Sequence, residues 1–273
     1  MATVPLTAAL RAQYQQLFDS CLIGPDKQAE VNRTAKQIEQ NRQRYDEVSR
    51  ETGVPWYFVA AAHCMESSLN FTKHLHNGDP LTARTQQVPA GRPKTGNPPF
   101  TWSESAADAL RLKKLDQWTD WTIPGVLYRL EGYNGFGYRL HHPEVFTPYL
   151  WSFSNHYTRG KYVSDGTFSP TAVSKQMGCA VLLRRLSETG AIKFNAAGVP
   201  IADDTEANGS GTILPGPMIR FSRTRRSPEA EELQRALNRF PGIFVKVDGV
   251  PGERTSDAFR RITGSFLDGD PRA

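Results

Sequence analysis

The sequence predicts a mainly α-helical protein in two domains, and three observations carry that expectation. Segments of helical composition recur through residues 1–197, a run rich in Gly, Pro, Asn and Asp occupies 198–217, and a short tail at 218–273 shows two further helical patterns around an Asp-Gly turn. A chain of 273 residues is long enough to bury a substantial core in the first segment and a small one in the last.

Taken in order, Leu6–Leu22 and Lys27–Glu51 carry few breakers and are punctuated by Gly24-Pro25, so two helices are expected. The polar stretch after Gln28 keeps Val31, Ile38 and Tyr45 seven apart, the spacing of a face turned to a core. Pro55 suits a first helical turn, and Trp56, Phe58, Val59, Ala60 and Ala62 follow without a breaker before Ser67, which predicts a largely apolar, buried helix. Residues 70–100 contain GDP and PAGRPKTGNPP and are expected to be irregular. Loops of that length inside a domain are usually functional. Helices are predicted again over Thr101–Gln117, with Thr101 or Ser103 as cap, over Ile123–Glu131, and over Pro170–Leu186. In the tail, Leu233, Leu237, Val247, Ala258, Phe259 and Ile262 are available for a small core, preceded by a basic patch at Arg220, Arg223, Arg225 and Arg226.

The chemistry concentrates at Glu66. It closes the apolar helix, where a solvated surface carboxylate is not expected, and a carboxyl group there, beside the negative end of the helix dipole, should hold its proton closer to neutral pH. A protonated carboxyl can donate to a leaving glycosidic oxygen. Downstream, Gly132-Tyr133-Asn134-Gly135-Phe136-Gly137-Tyr138 offers three glycines for close backbone approach and aromatics that either stack on sugars or fill the core. Asp79 lies 13 positions after Glu66 in HNGDP, where it is either a base that activates water or an Asx turn before Pro80. Glu104, Asp116 and Asp120 are weaker choices for the base. His74 and His76 flank Asn77-Gly78 without a third histidine nearby, so no metal and no cofactor are expected.

The string VPWYFVAAAHCMESSLNF, with Val54, Pro55, Glu66, Ser67, Ser68, Asn70 and Phe71, resembles the lysozyme-like superfamily of soluble lytic transglycosylases and goose-type lysozymes. Gly132-Tyr133-Asn134-Gly135 is similar to the motif that lines the same cleft in that superfamily, while HLHNGDPLTART replaces the Gly-Leu-Met-Gln segment usual in transglycosylases. The resemblance implies a lysozyme-like helical domain over 1–197, with Glu66 and Asp79 as catalytic residues and Ser67, Tyr133, Asn134 and Tyr138 as substrate-binding ones. Beyond the linker, Leu233-Gln234, Leu237-Asn238, Val247-Asp248-Gly249, Gly252 and Thr255 resemble the peptidoglycan-binding type 1 domain. That implies a three-helix module over 218–273 that contacts the wall through Asp248, Gly249, Arg254 and Thr255.

Composition narrows the partners. A net charge of +5 is weaker than the basic stripe of a nucleic-acid binder, and no apolar run approaches the roughly 20 residues of a membrane span. Neither nucleic acid nor membrane is therefore expected as a partner, whereas an anionic wall would attract the chain. Cys21, Cys64 and Cys179 lack CxxC spacing and are expected to be buried free thiols. MATVPLTAALRAQYQQLF has no basic segment followed by a long apolar one, so no export signal is expected. Together with the resemblances, this leads to the expectation of an endolysin-like N-acetylmuramidase: a monomer made in the cytoplasm that reaches peptidoglycan on release. A lytic transglycosylase, a non-catalytic wall-binding or phage structural protein, and an enzyme of another amino-sugar polymer such as chitosan are the alternatives.

Overall fold

The computed structural model describes residues 4–164, 166–195, 198–201, 219–238, 245–263 and 266–272. The chain is mainly helical and divides into two compact units, 1–203 and 204–273. Among the described residues no helix is long and apolar enough to cross a membrane.

In the first unit α1 (Ala8–Asp19) is capped by Thr7, whose hydroxyl accepts from the Leu10 amide at 3.2 Å. The single helix expected over Lys27–Glu51 is two, α2 (Gln28–Gln40) and α3 (Arg42–Thr52). The break is at Asn41, whose side-chain amide donates back to the Gln37 carbonyl at 2.9 Å in competition with the helix ladder. Val31, Ile38 and Tyr45 are all fully buried, so the seven-residue spacing finds the core face on both sides of the break. Gly53 ends α3 in the left-handed region at φ 73°.

The next helix, α4 (Trp56–Ser67), is the centre of the unit. Every residue from Trp56 to His63 is buried, and α3, α9 (Cys179–Glu188) and α6 (Ile123–Asn134) pack around it. α5 (Trp102–Leu112) starts with a capping box, in which the Thr101 hydroxyl accepts from the Glu104 amide at 3.2 Å and the Glu104 carboxylate accepts from the Thr101 amide at 2.7 Å. Two short helices follow α6, α7 (Gly137–His141) and α8 (Pro148–Trp151), then a hairpin of β1 (Lys161–Ser164) and β2 (Thr167–Ser169).

The last helix of this unit, α9, begins at Cys179 and not at Pro170. Residues 170–178 are irregular, because Gly178 lies so close to α8 that any Cβ there would collide with the Leu150 carbonyl. The segment expected to be linker from Gly198 starts inside the fold: Pro200–Ile201 (β4) pairs with Lys193–Phe194 (β3), and the Gly198 carbonyl accepts from the Ile123 amide at 2.7 Å. Residues 202–217 of that expected linker lie outside the described residues.

The second unit contains α10 (Pro228–Leu237) and α11 (Glu253–Thr263) around a small core of Leu237, Val245 and Ala258, with Leu233 and Phe259 against it. Two helices, not the three expected, occur among its described residues. Ile262 falls outside the described side chains.

Gly178→Ala should destabilise the first unit by about 2 kcal/mol or more, since the added methyl must push α8 and α9 apart. Chemical denaturation checks this, and a midpoint equal to that of the parent would contradict the close approach.

Candidate active site

Glu66 is the last residue but one of α4, and it is half-buried. Because the helix is enclosed on all sides, its end emerges among side chains and not into water. Burial pushes the Glu66 carboxyl above its ordinary pKa, and two effects oppose this in part: a hydrogen bond from the Tyr149 hydroxyl to Oε1 at 3.0 Å, and the charge of Lys113. The direction expected from the sequence is therefore the one found. Tyr149 and Tyr133 are themselves raised, by their own burial first and by the Glu66 charge second or later.

The chain leaves α4 in an unusual way. Ser68 at φ 52° and Leu69 at φ 59° are consecutive left-handed residues without being glycine, a conformation that costs about 1–2 kcal/mol each. Strain of this kind next to an ionisable group is common where the surrounding structure holds a site in place.

Beside this helix end lies a cleft of about 500 Å³, lined by Met65, Asn134, Tyr138, Tyr149, Lys161 and Tyr162 among others. Glu66 is not itself one of the lining residues, whereas its chain neighbour Met65 and its hydrogen-bond partner Tyr149 are. Asn134 and Tyr138, two of the four substrate-binding residues expected from the sequence, are thus on the cleft. The other two are not. Ser67 is buried with its hydroxyl turned back to the His63 carbonyl at 3.4 Å, and Tyr133 is buried with its hydroxyl on the Leu75 carbonyl at 3.4 Å.

The cleft wall is fastened from behind by a buried ion pair. Arg139 of α7 donates to both oxygens of Glu131 at 3.1 and 2.8 Å, the Tyr14 hydroxyl adds a third bond at 2.5 Å, and Arg139 also reaches Gln13 at 2.8 Å. This ties α7 to α6 and α1. The Tyr138 hydroxyl in turn accepts from the Tyr162 amide at 3.1 Å, so the same network holds the hairpin. Sequence reasoning passed over both features. KYVSDGTFS contains the Asp-Gly between two β-rich runs that signals a hairpin, whereas nothing local marks Glu131 and Arg139 as a buried pair.

Asp79 is bonded across its loop and does not form an Asx turn with the Leu81 amide, which donates to the Thr72 carbonyl at 3.1 Å. Its Oδ2 accepts from the Gln86 amide at 2.8 Å, the Gln87 amide at 3.0 Å and the Asn77 side chain at 3.0 Å, and it is not among the cleft-lining residues. The Gln87 amide foremost, with Gln86 and Asn77, holds its carboxyl below the ordinary range. Glu104 is spent in the α5 cap, Asp120 accepts from the Thr122 hydroxyl at 2.6 Å and pairs with Arg11 at 2.6 Å, and Asp116 is exposed.

The histidines staple the long loop to α5. His74 bonds Ser105 and the Ala83 carbonyl, each at 2.8 Å, while His76 and Arg92 both meet Asp108, at 2.8 and 2.9 Å. Burial lowers the pKa of His76. Among the described residues no three His, Cys, Asp or Glu side chains converge as metal ligands. The three cysteines are free, and burial raises the thiols of Cys21 and Cys64 to about 11 and about 12.

In the second unit the motif residues are occupied internally. Gln234, buried, donates to Asp248, the Val250 carbonyl and Thr255 at 3.0, 3.0 and 3.1 Å, and its carbonyl oxygen accepts from the amides of Asp248 and Gly249 at 2.9 and 2.8 Å. Gly249 has φ 72° and Thr255 is buried. Asp248, Gly249 and Thr255 therefore build a turn; Asp248 is half-buried, Gly249 and Thr255 are buried, and Arg254 of that expected group is exposed.

Two stability measurements follow from this geometry. The folded-state pKa of Glu66 is raised, so its ionised form burdens the fold above that pKa and burdens nothing below the unfolded carboxyl range, where both states are protonated. Glu66→Gln should therefore raise the melting temperature at pH 7, with the gain fading as pH falls through the carboxyl range; a constant or inverted difference would contradict the burial. Gln234→Ala should cost the second unit about 1–3 kcal/mol for each turn amide left unpaired. Hydrogen exchange at Asp248 and Gly249 reads this directly, and unchanged protection would refute the clamp.

No protein-family model, curated protein or solved structure matches this chain, so the site rests on its own geometry.

Proposed function

We propose that the first unit cleaves the glycan strand of peptidoglycan at the β-1,4 bond between N-acetylmuramic acid and N-acetylglucosamine, as an endolysin-type muramidase with Glu66 as general acid. The observation that carries this reading is a half-buried carboxyl, raised in pKa and oriented by Tyr149, beside a cleft lined by tyrosines, neutral polar side chains and Lys161. Such a lining suits saccharides, whose C–H faces stack on aromatic rings while their hydroxyls pair with amides and hydroxyls.

With the Tyr149 hydroxyl donating to Oε1, Oε2 is the oxygen left to carry the proton. That proton passes to the glycosidic oxygen as its bond to the anomeric carbon breaks, leaving an oxocarbenium-like sugar and a Glu66 carboxylate. Water then adds to the anomeric carbon and its proton returns to Glu66. Activity should fall as pH rises through the raised Glu66 pKa, because only the protonated form can donate.

The bonding of Asp79 favours a second reading of the same site. A carboxylate engaged by three donors and held below the ordinary range is a weak base, which suits a lytic transglycosylase in which the sugar's own 6-hydroxyl replaces water. The second unit is proposed to hold the enzyme on the wall, through a surface other than its Asp-Gly turn.

Glu66→Gln should lower glycan cleavage by about a hundredfold or more. The assay is turbidity loss of purified walls, and activity near the parent level would remove Glu66 from the chemistry. Mass spectrometry of the parent's products separates the two readings, since reducing ends mean hydrolysis and products lighter by one water mean transglycosylation.

A further inference from the structure

The charge of the cleft carries an inference about which glycans enter it. Among its described lining residues Lys161 is the one charged side chain; the others that are polar, such as Asn134, Gln176, Ser164 and Tyr162, are neutral. Lys161 is half-buried at the start of β1, and no ion pair to it occurs among the described residues. Glu66 stands behind Tyr149 and Met65, and its raised pKa keeps it closer to neutral, so it does not offset that cation as an ordinary carboxylate would. Asp165 lies outside the described residues.

We propose that the cleft selects an anionic amino-sugar glycan, with Lys161 pairing a carboxylate of the substrate. This rests on the reading of the cleft as a saccharide site and narrows it. An ammonium facing a substrate carboxylate at a partly desolvated position improves affinity about fivefold to tenfold, and the same ammonium repels a deacetylated, cationic glycan such as chitosan. The carboxylate has two sources in a wall strand: the lactyl carboxyl of a muramoyl sugar without a stem, and, where a stem has converted that carboxyl to an amide, the carboxylates of the peptide.

Titration calorimetry on the full-length Glu66→Gln chain, which leaves the ligand uncut, tests the proposal with four tetrasaccharides: fully acetylated neutral, deacetylated cationic, peptide-free muramoyl, and peptide-bearing muramoyl. At least one of the two anionic ligands should bind about tenfold more tightly than the neutral one, with the cationic one weakest. Adding Lys161→Gln should erase that order while leaving neutral affinity within about twofold. A gain with the peptide-free ligand assigns the contact to the lactyl carboxylate; a gain with the peptide-bearing one, whose lactyl carboxyl is an amide, assigns it to the stem, and either supports the pairing. Equal affinities, a preference that survives Lys161→Gln, one that emerges only after Asp165→Asn, or no binding at all would overturn it. A parent chain whose Glu66→Gln form shows the anionic preference, but which cleaves no glycan, would instead defeat the role given to Glu66 and leave Lys161 standing.

Discussion

The enclosure of α4 is the constraint on which the rest of the first unit depends. A helix buried from Trp56 to His63 has no solvent face, so the side chains of its final turn must either be apolar or find partners inside the protein. Glu66 is the exception. Its carboxyl meets Tyr149, feels Lys113, and remains partly desolvated, which is the environment that shifts a carboxyl toward its neutral form. His63, one turn earlier, shows the same effect with the opposite sign. Burial lowers its pKa to about 4, and it stays neutral beside the Tyr45 hydroxyl at 3.0 Å with the Phe71 and Trp102 rings at 4.6 Å. One apolar surround thus shifts both an acid and a base toward their uncharged forms, and that aromatic cluster also anchors the two ends of the long loop.

A site at the end of a buried helix needs walls from elsewhere, and these come from segments with little regular structure. Residues 70–100 are fixed by polar staples more than by a core: His74 and His76 to α5, Asp79 to three donors, and Arg84 to the carbonyls of Pro93 and Gly96. On the other side Glu131, Arg139 and Tyr14 fix α7, and Tyr138 passes the constraint to the hairpin. A buried ion pair adds little net stability compared with apolar packing of the same volume, but leaving either charge without its partner costs about 3–5 kcal/mol. Such a network therefore specifies one arrangement of the cleft wall more than it strengthens the fold.

These two kinds of construction explain what the sequence disclosed. Apolar periodicity located the buried faces of α2, α3 and α4, because burial of Val31, Ile38, Tyr45 and the α4 residues is dictated by local pattern. Of the two caps the sequence offers for α5, Thr101 is the one used, and Glu104, read there only as a weaker base, completes its capping box. The break at Asn41 and the late start of α9 were not legible, as each depends on a competing bond or a close approach between elements distant in sequence. The same division runs through the site. Glu66, Asn134 and Tyr138 stood out from local context, whereas Tyr149 and Lys161 join them only because α8 and the hairpin fold back beside α4.

Whether a polar residue's bonding capacity is already used inside the fold separates structural residues from available ones better than motif membership does. His74, Ser67, Asp248 and Thr255 each belong to a suggestive sequence pattern and are engaged by backbone or neighbouring side chains, and Asp79 has three donors on its Oδ2. A group in that state can meet a ligand only by giving up a bond that holds its own loop, at the cost of an unpaired buried partner. Glu66 differs: it has a single donor, from Tyr149, and desolvation favours its protonated form, whereas the donors on Asp79 favour the ionised one. Lys161 and Asn134 likewise line the cleft with capacity that the fold does not consume. The chemistry of this chain is therefore sought where burial is incomplete and bonding unfinished, which in the first unit is the cleft at the end of α4.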